Sequence, residues 1–125
     1  MKHLRMTTIA AAMLAACTTI ASADTFLGSY VARISGQDHV ASDGYPLSTA
    51  AQMIRQDRAN WHKFGKYDGE DQNDSWFGDA DTRAWLERVL NSSIDGGTNS
   101  AIVDGSPLVQ VDVYQNSAVV TILEY

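Results

Sequence analysis

VQVDVYQNSAVVTILE, residues 109–124, is the stretch that decides which fold this chain can adopt. Apolar and polar residues alternate over 109–114, which is the two-residue period of a half-buried β-strand. The segment 115–117 is rich in turn-forming residues, and a second apolar run follows it over 118–124. The stretch therefore predicts an antiparallel β-hairpin at the C-terminal end.

Four further segments of the sequence have recognisable local patterns. Alternation over 29–35 predicts another strand, and the Gly- and Asp-rich segment that follows it predicts turns. Residues 66–75 read as an acidic loop that contains glycine. Residues 92–100 are rich in Ser, Gly and Asn, so we expect a mobile linker there.

Two helices are predicted between the first strand and the hairpin. A capping box of Thr49 and Gln52 begins the first helix, which runs to about Phe64, before Gly65. The second is predicted over 79–91. This order of elements predicts an α+β fold, in which a small antiparallel sheet (N-terminal strand plus C-terminal hairpin) packs against two helices on one face.

Length and composition limit the classes of protein. The chain has 125 residues, of which 45% are hydrophobic, so it fits one globular domain and is too short for a two-domain enzyme. Its single Cys excludes an intrachain disulfide framework and a thiolate zinc site. We expect a single small α+β domain over residues 24–125.

Residues 1–23 have the pattern of a signal peptide. A basic start with Lys2 and Arg5 precedes an apolar run over 6–16, and Ala21-Ser22-Ala23 supplies the small residues that a signal peptidase requires. The apolar run is shorter than the about 20 residues that a membrane-spanning helix needs. We therefore expect a periplasmic or secreted bacterial protein.

The tetrapeptide Leu14-Ala15-Ala16-Cys17 supports an alternative location. It resembles a bacterial lipobox, in which Cys17 is lipidated and anchors the protein in the bacterial envelope. Soluble export is favoured, because the apolar stretch continues past Cys17 to the cleavage motif at 21–23. Contact with a membrane is expected only if Cys17 is lipidated.

The charge of the chain limits its partners. Fifteen acidic residues outnumber nine basic ones, and removal of residues 1–23 leaves a net charge of about −8. Such a surface repels nucleic acids, and the sequence has no basic stripe interleaved with aromatic residues. We expect no nucleic-acid partner. Cations and the basic surface of another envelope protein are the partners that the charge favours.

Asp57 lies on the apolar face of the first predicted helix, with Met53 and Ile54. A carboxylate there must be paired or neutralised. One interpretation is a general acid or base with a raised pKa. The favoured one is a buried structural acid, bonded to backbone amides or paired with Arg33 or Arg83.

Arg55, Arg58 and His62 are three and four residues apart on the adjoining polar flank of this helix, so their side chains are neighbours. The spacing suggests a ligand-binding patch for a carboxylate, a phosphate or an acidic glycan. A solvated or salt-bridged flank beside the acidic loop is the favoured alternative.

The acidic loop suggests a metal site. Its oxygen-bearing side chains are those of Asp68, Glu70, Asp71, Asn73 and Asp74. Calcium prefers such ligands, but Trp76 and Thr82 stand where an EF-hand loop needs Gly and Glu. A solvated charged loop without a cofactor is therefore favoured, with calcium as the alternative.

Trp76 and Phe77 are adjacent in this polar loop. Aromatic residues near helices usually belong to the core. If both side chains are exposed, however, they form a contact patch for another protein.

Residues 30–90, and above all the segment 55–65 (RQDRANWHKFG), resemble a run found in small exported proteobacterial proteins of unassigned function. The resemblance implies a location in the bacterial envelope. It implies no activity, so no site residue is carried over.

A non-catalytic exported envelope protein that acts by protein contact is the favoured function, as an accessory protein, an inhibitor or an assembly factor. A periplasmic module that binds a cation or a small anion is the first alternative. The second is a small hydrolase using His39, His62 and nearby carboxylates. The sequence contains neither an H-E-x-x-H helix nor a G-x-S-x-G elbow, so no catalytic residue is assigned.

We expect palmitate to label neither the wild-type protein nor the Cys17→Ser variant, because signal peptidase removes Cys17 with residues 1–23. Metabolic labelling of the producing bacterium with radioactive palmitate measures this. Label on the wild type alone would show that Cys17 is lipidated.

Overall fold

The computed structural model describes residues 23–125. The strands are β1 (Phe26–Arg33), β2 (Leu108–Tyr114) and β3 (Ala118–Glu124), and the helices are α1 (Ala50–Ala59), α2 (Ala80–Ser93) and α3 (Gly96–Asp104). A 3₁₀ turn (Gly36–Asp38) follows β1. Apart from Ala23, the predicted signal peptide and its Cys17 lie outside the described residues.

The three strands form one antiparallel sheet in the order β1-β2-β3. Tyr30 of β1 lies opposite Val111 of β2, which lies opposite Val120 of β3. Alternate side chains point to the helices, so Tyr30 and Val111 are buried. The predicted α+β class, with the N-terminal strand joined to the C-terminal hairpin, is confirmed.

The start of α1 also follows the prediction. The Thr49 hydroxyl accepts a hydrogen bond from the Gln52 amide, and the Gln52 side chain accepts one from the Thr49 amide, both at 3.2 Å. The end of the helix differs, because Asn60–Phe64 forms a π-helical turn before Gly65, whose φ is 63°. The wider turn shifts the buried face, so Asn60 is buried and Phe64 is 41% exposed.

Helix α1 is the central helix, because it packs against both α2 and α3. Together the helices cover the inner face of the sheet and form one apolar core with it. The core side chains that the helices supply are Ala50, Ala51, Met53, Ile54, Leu86, Leu90 and Ile102. A helix covered on two sides buries a wider stripe than a helix packed on a sheet alone.

The expected mobile linker over 92–100 is wrong. Helix α2 continues to Ser93, and α3 begins at Gly96 after the Asp95 side chain accepts a hydrogen bond from the Thr98 amide at 2.8 Å. The weak helix propensity of Gly, Ser and Asn hides this helix in the sequence. Capping by Asp95 and complete burial of Ile102 stabilise it.

None of the helices in residues 23–125 has the length and the apolar character needed to cross a membrane.

Candidate functional site

Arg58 is fully buried and forms the centre of a charged cluster. Its Nε donates to Asp57 Oδ2 at 2.7 Å, and its Nη1 donates to Asp74 Oδ2 at 2.8 Å and to the carbonyl of Gln72 at 2.9 Å. The guanidinium carbon lies 4.1 Å from the centroid of the Tyr30 ring, within the range of a cation–π contact. Arg58 therefore connects α1, the loop over 65–79 and β1.

The burial of Asp57 is confirmed, but its predicted partners are wrong. Asp57 is 1% exposed and pairs with Arg58, the next residue in the chain, and not with Arg33 or Arg83. Arg58 continues a buried stripe with Ile54, one helical turn earlier. It is buried because the loop over 65–79 and the Tyr30 ring cover it, so its predicted place on a polar flank is wrong.

Asp74 joins this cluster to the surface. Its Oδ2 also contacts His62 Nε2 at 2.7 Å, and its Oδ1 accepts hydrogen bonds from the amides of Trp76 and Phe77 at 2.9 and 2.7 Å. Burial alone would raise the pKa of Asp74, but the bonds from His62, Arg58 and these amides lower it below its usual range.

The pKa values of Asp57 and Asp38 shift in the direction opposite to that of Asp74. Burial raises the pKa of the Asp57 carboxyl well above its usual range, although Arg58 opposes the shift. Asp38 is buried at the end of the 3₁₀ turn, where it accepts hydrogen bonds from the Asn60 side chain at 2.9 Å and the Ser35 amide at 3.1 Å. Burial still raises the pKa of Asp38 to about 6.

Sequence reasoning missed Asp38 and Asn60 as members of a buried polar group. The one available signal was the spacing of Ser35 and Asp38, which fits a capping box with an acid at the third position. Asn60 gave no signal, because the π-helical turn that buries it is not visible in the spacing of apolar residues.

Arg55, Arg58 and His62 do not form one exposed patch. The side chain of Arg55 is 39% exposed and lies 3.7 Å from Glu87 on α2, whereas that of Arg58 is buried. The His62 ring is directed at Asp74. The predicted ligand-binding trio is therefore divided between the surface and the core.

The acidic loop uses its oxygen atoms as acceptors for the protein's own donors. Asp71 accepts hydrogen bonds from the amides of Arg33 and Asp68 at 2.7 and 2.9 Å. Asp68 accepts one from the Ser35 hydroxyl at 2.7 Å, and Asn73 accepts one from the Trp61 indole at 2.9 Å.

The same loop does not gather a coordinating centre. Glu70 lies 3.4 Å from the Arg33 guanidinium, and Asp74 is directed into the core. Within residues 23–125, no three or more His, Cys, Asp or Glu side chains are arranged to hold a metal ion. The calcium alternative stays a prediction.

The two histidines belong to different clusters. His39 has Nδ1 2.7 Å from the Ser35 carbonyl and Nε2 2.8 Å from the Ile102 carbonyl, so its ring connects the 3₁₀ turn to α3. The His62 ring lies against Asp74 instead, so the two rings have no shared hydrogen-bond partner among the described residues.

Trp76 and Phe77 do not form an exposed pair. Phe77 is 1% exposed and packs edge-on against Tyr30, with a centroid distance of 6.0 Å. Asp74 turns the loop inward by binding the Phe77 amide, and Arg83 donates to the Phe77 carbonyl at 3.0 Å. The Trp76 ring is half-buried over Gly28, where an added Cβ would lie 2.7 Å from the indole.

The loop covers the free edge of β1. The Val31 amide donates to the Gln72 side chain at 3.0 Å, and the Gln72 amide donates to the Val31 carbonyl at 2.8 Å. The Arg33 amide donates to Asp71. Over 31–33 this edge of the sheet therefore has no free row of backbone groups for another strand.

The free edge of β3 is not covered by a loop in this way. The hairpin closes with a bond from the Tyr114 amide to the Ser117 carbonyl at 2.9 Å, and pairing alternates from there. The backbone groups of Val120 and Ile122 therefore point away from β2. The Ser93 hydroxyl occupies the outward carbonyl of Ala118, and beyond it no hydrogen bond from residues 23–125 reaches the edge.

Comparisons of this chain with protein-family models, with curated proteins and with solved structures found no match. The resemblance to exported proteobacterial proteins therefore stays a prediction.

We expect Asp57→Ala to destabilise the fold by about 3 kcal/mol, because it leaves Arg58 buried beside one carboxylate instead of two. Urea unfolding followed by tryptophan fluorescence measures the change. Asp104→Ala is the matched control, since Asp104 is exposed at the end of α3. A loss below about 1 kcal/mol for Asp57→Ala would contradict the structural role.

Stability should increase as the pH falls from 7 toward 4. The pKa of Asp38 is about 6 in the folded protein against an ordinary value of 3.8, so the folded state binds a proton that the unfolded chain does not. Lowering the pH through this window therefore favours folding by about 1–3 kcal/mol. Melting temperatures measured across this range test the sign.

The Asp38→Asn variant is the control for this pH dependence. It removes one titrating carboxyl and should reduce the slope of the profile, while the raised pKa of Asp57 keeps part of the pH dependence. A melting temperature of the wild type that falls steadily from pH 7 to pH 5 would contradict the assignment.

Proposed function

We propose that this chain is a non-catalytic exported protein of the bacterial envelope, and that it acts by binding an extended, basic segment of another protein along the free edge of β3. The observation that carries the proposal is the difference between the two edges of the sheet. The chain covers the β1 edge over 31–33 with its own loop, whereas beyond Ala118 no hydrogen bond from residues 23–125 covers the β3 edge.

The composition of β3 supports its use as a binding edge. Proteins usually protect exposed edge strands with Lys, Pro or a bulge. The only such feature of β3 among the described residues is an irregularity near its end, where Leu108 and Val109 of β2 pair with Glu124 and Ile122, so the pairing is regular over 118–122. The segment 118–125 contains no Lys, Arg or Pro, and its one charged side chain, Glu124, lies 3.4 Å from Arg33 of the same chain. Val119 and Leu123 are 46% and 50% exposed, so an added strand would also bury apolar surface.

The surroundings of this edge favour a basic partner. A groove of about 410 Å³ lies between the start of α3 and the centre of β3. Asp95 lines it, and no basic side chain of the described residues does. Hydrogen bonds from the amide and the hydroxyl of Thr98 lower the pKa of Asp95, so this wall keeps its negative charge. The net charge of about −8 that remains without residues 1–23 attracts the same class of partner from a distance.

The buried ionisable groups support a non-catalytic role. The carboxylates of Asp57, Asp74 and Asp38 are bonded to donors of the protein itself, and two of these residues are at most 1% exposed. A general acid or base must reach a substrate, so the bonds of these three carboxylates to the protein's own donors favour a structural role for them.

Site-specific photocrosslinking of the full chain in its native envelope tests this function. We expect a photoreactive amino acid at Thr121, an exposed position on β3, to form an adduct with one other protein. The matched control position is Tyr45, which is 74% exposed in a turn far from β3 in sequence. Mass spectrometry identifies the adduct and the charge of the crosslinked segment.

The outcomes test protein contact and the use of the β3 edge separately. Adducts from Tyr45 but not from Thr121 would keep protein contact and overturn the β3 edge as its site. An adduct made only of two copies of this chain, or a crosslinked segment that is acidic, would overturn the proposed partner. No adduct at either position would overturn protein contact itself.

A further inference from the structure

A cleft of about 500 Å³ lies between α1, α2 and the turn over 41–47. It is on a different part of the molecule from the groove beside β3. Three basic residues line this cleft, namely Arg55, Lys63 and Arg83. They are a large share of the seven that follow residue 23, so basic side chains converge on one concavity of an acidic protein.

Arg83 is the side chain that makes this cleft unusual. It is 7% exposed, and its Nη1 donates to the Phe77 carbonyl at 3.0 Å. No carboxylate of residues 23–125 forms a salt bridge with it. Asp79, one helical turn earlier, is engaged as the N-cap of α2, where its side chain accepts a hydrogen bond from the Thr82 amide. The charge of Arg83 contributes to lowering the pKa of Asp79, but the two side chains form no salt bridge.

A buried arginine without an acidic partner is uncommon, because its charge must be compensated to remain out of water. The guanidinium has five N–H donors, and the hydrogen bond to Phe77 uses one of them. Arg83 lines the cleft, and its guanidinium forms no other hydrogen bond within residues 23–125.

The other charges of the cleft leave it with an excess of positive charge. Glu87 lies 3.7 Å from Arg55, so these two side chains neutralise each other. The Lys63 ammonium lies 5.3 Å from the centroid of the Phe64 ring and forms no salt bridge within residues 23–125. Asp43 binds the Tyr45 amide at the rim.

We infer that this cleft binds a small organic carboxylate, with Arg83 holding the carboxylate through paired N–H donors and Lys63 adding a second positive charge. The planar guanidinium matches a carboxylate in geometry. Leu47 and the exposed ring of Phe64 line the same cleft and provide apolar contact for the body of the ligand. The volume is in the usual range for a small-molecule site.

A single negative charge fits the cleft better than a phosphate dianion. Asp43 and Glu87 both line it, and each repels a second negative charge on the ligand. The inference does not depend on the proposed protein contact, because it concerns different residues.

Nuclear magnetic resonance titration with benzoate tests the inference, and benzamide is the neutral probe of the same shape. We expect benzoate to give saturable shifts at the Arg83 Nε–H and at the amide of Lys63, and benzamide to give none over the same range. Inorganic phosphate should bind more weakly than benzoate.

Variants identify the residues that bind. Arg83→Gln should weaken benzoate at least about tenfold, as expected for loss of a charge-assisted hydrogen bond. Lys63→Gln should weaken it several-fold, and because Lys63 is exposed this variant keeps the test valid if Arg83→Gln fails to fold. The control, Arg88→Gln, removes an exposed charge of α2 outside the cleft and should bind as the wild type does.

Three results would overturn the carboxylate site. They are the absence of saturable benzoate shifts, benzamide binding equal to benzoate, and losses in Lys63→Gln no larger than in Arg88→Gln. Phosphate binding tighter than benzoate would overturn the assigned class of ligand.

Discussion

One buried guanidinium, that of Arg58, holds three parts of this molecule together. It binds Asp57 on its own helix and Asp74 in the following loop, and it stacks on Tyr30 of the sheet. A charge in the core is tolerated only when it is paired, so loss of either acid would leave a costly buried ion. The pairing is incomplete, since Arg58 Nη2 and the Tyr30 hydroxyl have no hydrogen-bond partner among the described residues.

The cover on the β1 edge of the sheet follows from this cluster. Asp74 fixes the loop in the turn that directs Phe77 into the core, and the preceding residues Asp71 and Gln72 then lie along β1. The loop therefore covers one edge of the sheet over 31–33. The other edge has no such cover over 119–122, so the two edge strands of the sheet differ in their protection.

The sequence predicts those parts of the fold that depend on local patterns. The two-residue period of β2, the capping box at Thr49 and the position of Gly65 each have a local physical cause, and all three are confirmed. The helix α3 and the π-helical turn escape prediction, because burial of Ile102 and of Asn60 depends on the assembled fold and not on local propensity.

Less of the candidate site can be predicted. The apolar face of α1 places Asp57 in the core, but which cation reaches it depends on how α1 is covered. Arg58 is covered by the loop over 65–79 and by Tyr30, which the helical spacing does not show. The sequence suggests Arg83 only as a partner for Asp57. Its position in a cleft, away from Asp57, follows from the packing of α2 against α1.

The cluster of Arg58, Asp57 and Asp74 supports the structure and is closed to solvent. Hydrogen exchange of the Arg58 Nε–H, observed by nuclear magnetic resonance, tests it most directly. A structural role predicts that this proton exchanges as slowly as the amide of Val111 in the central strand, through global unfolding. Exchange as fast as that of the exposed Arg88 side chain would contradict the claim, because it would show that the cluster is open to water.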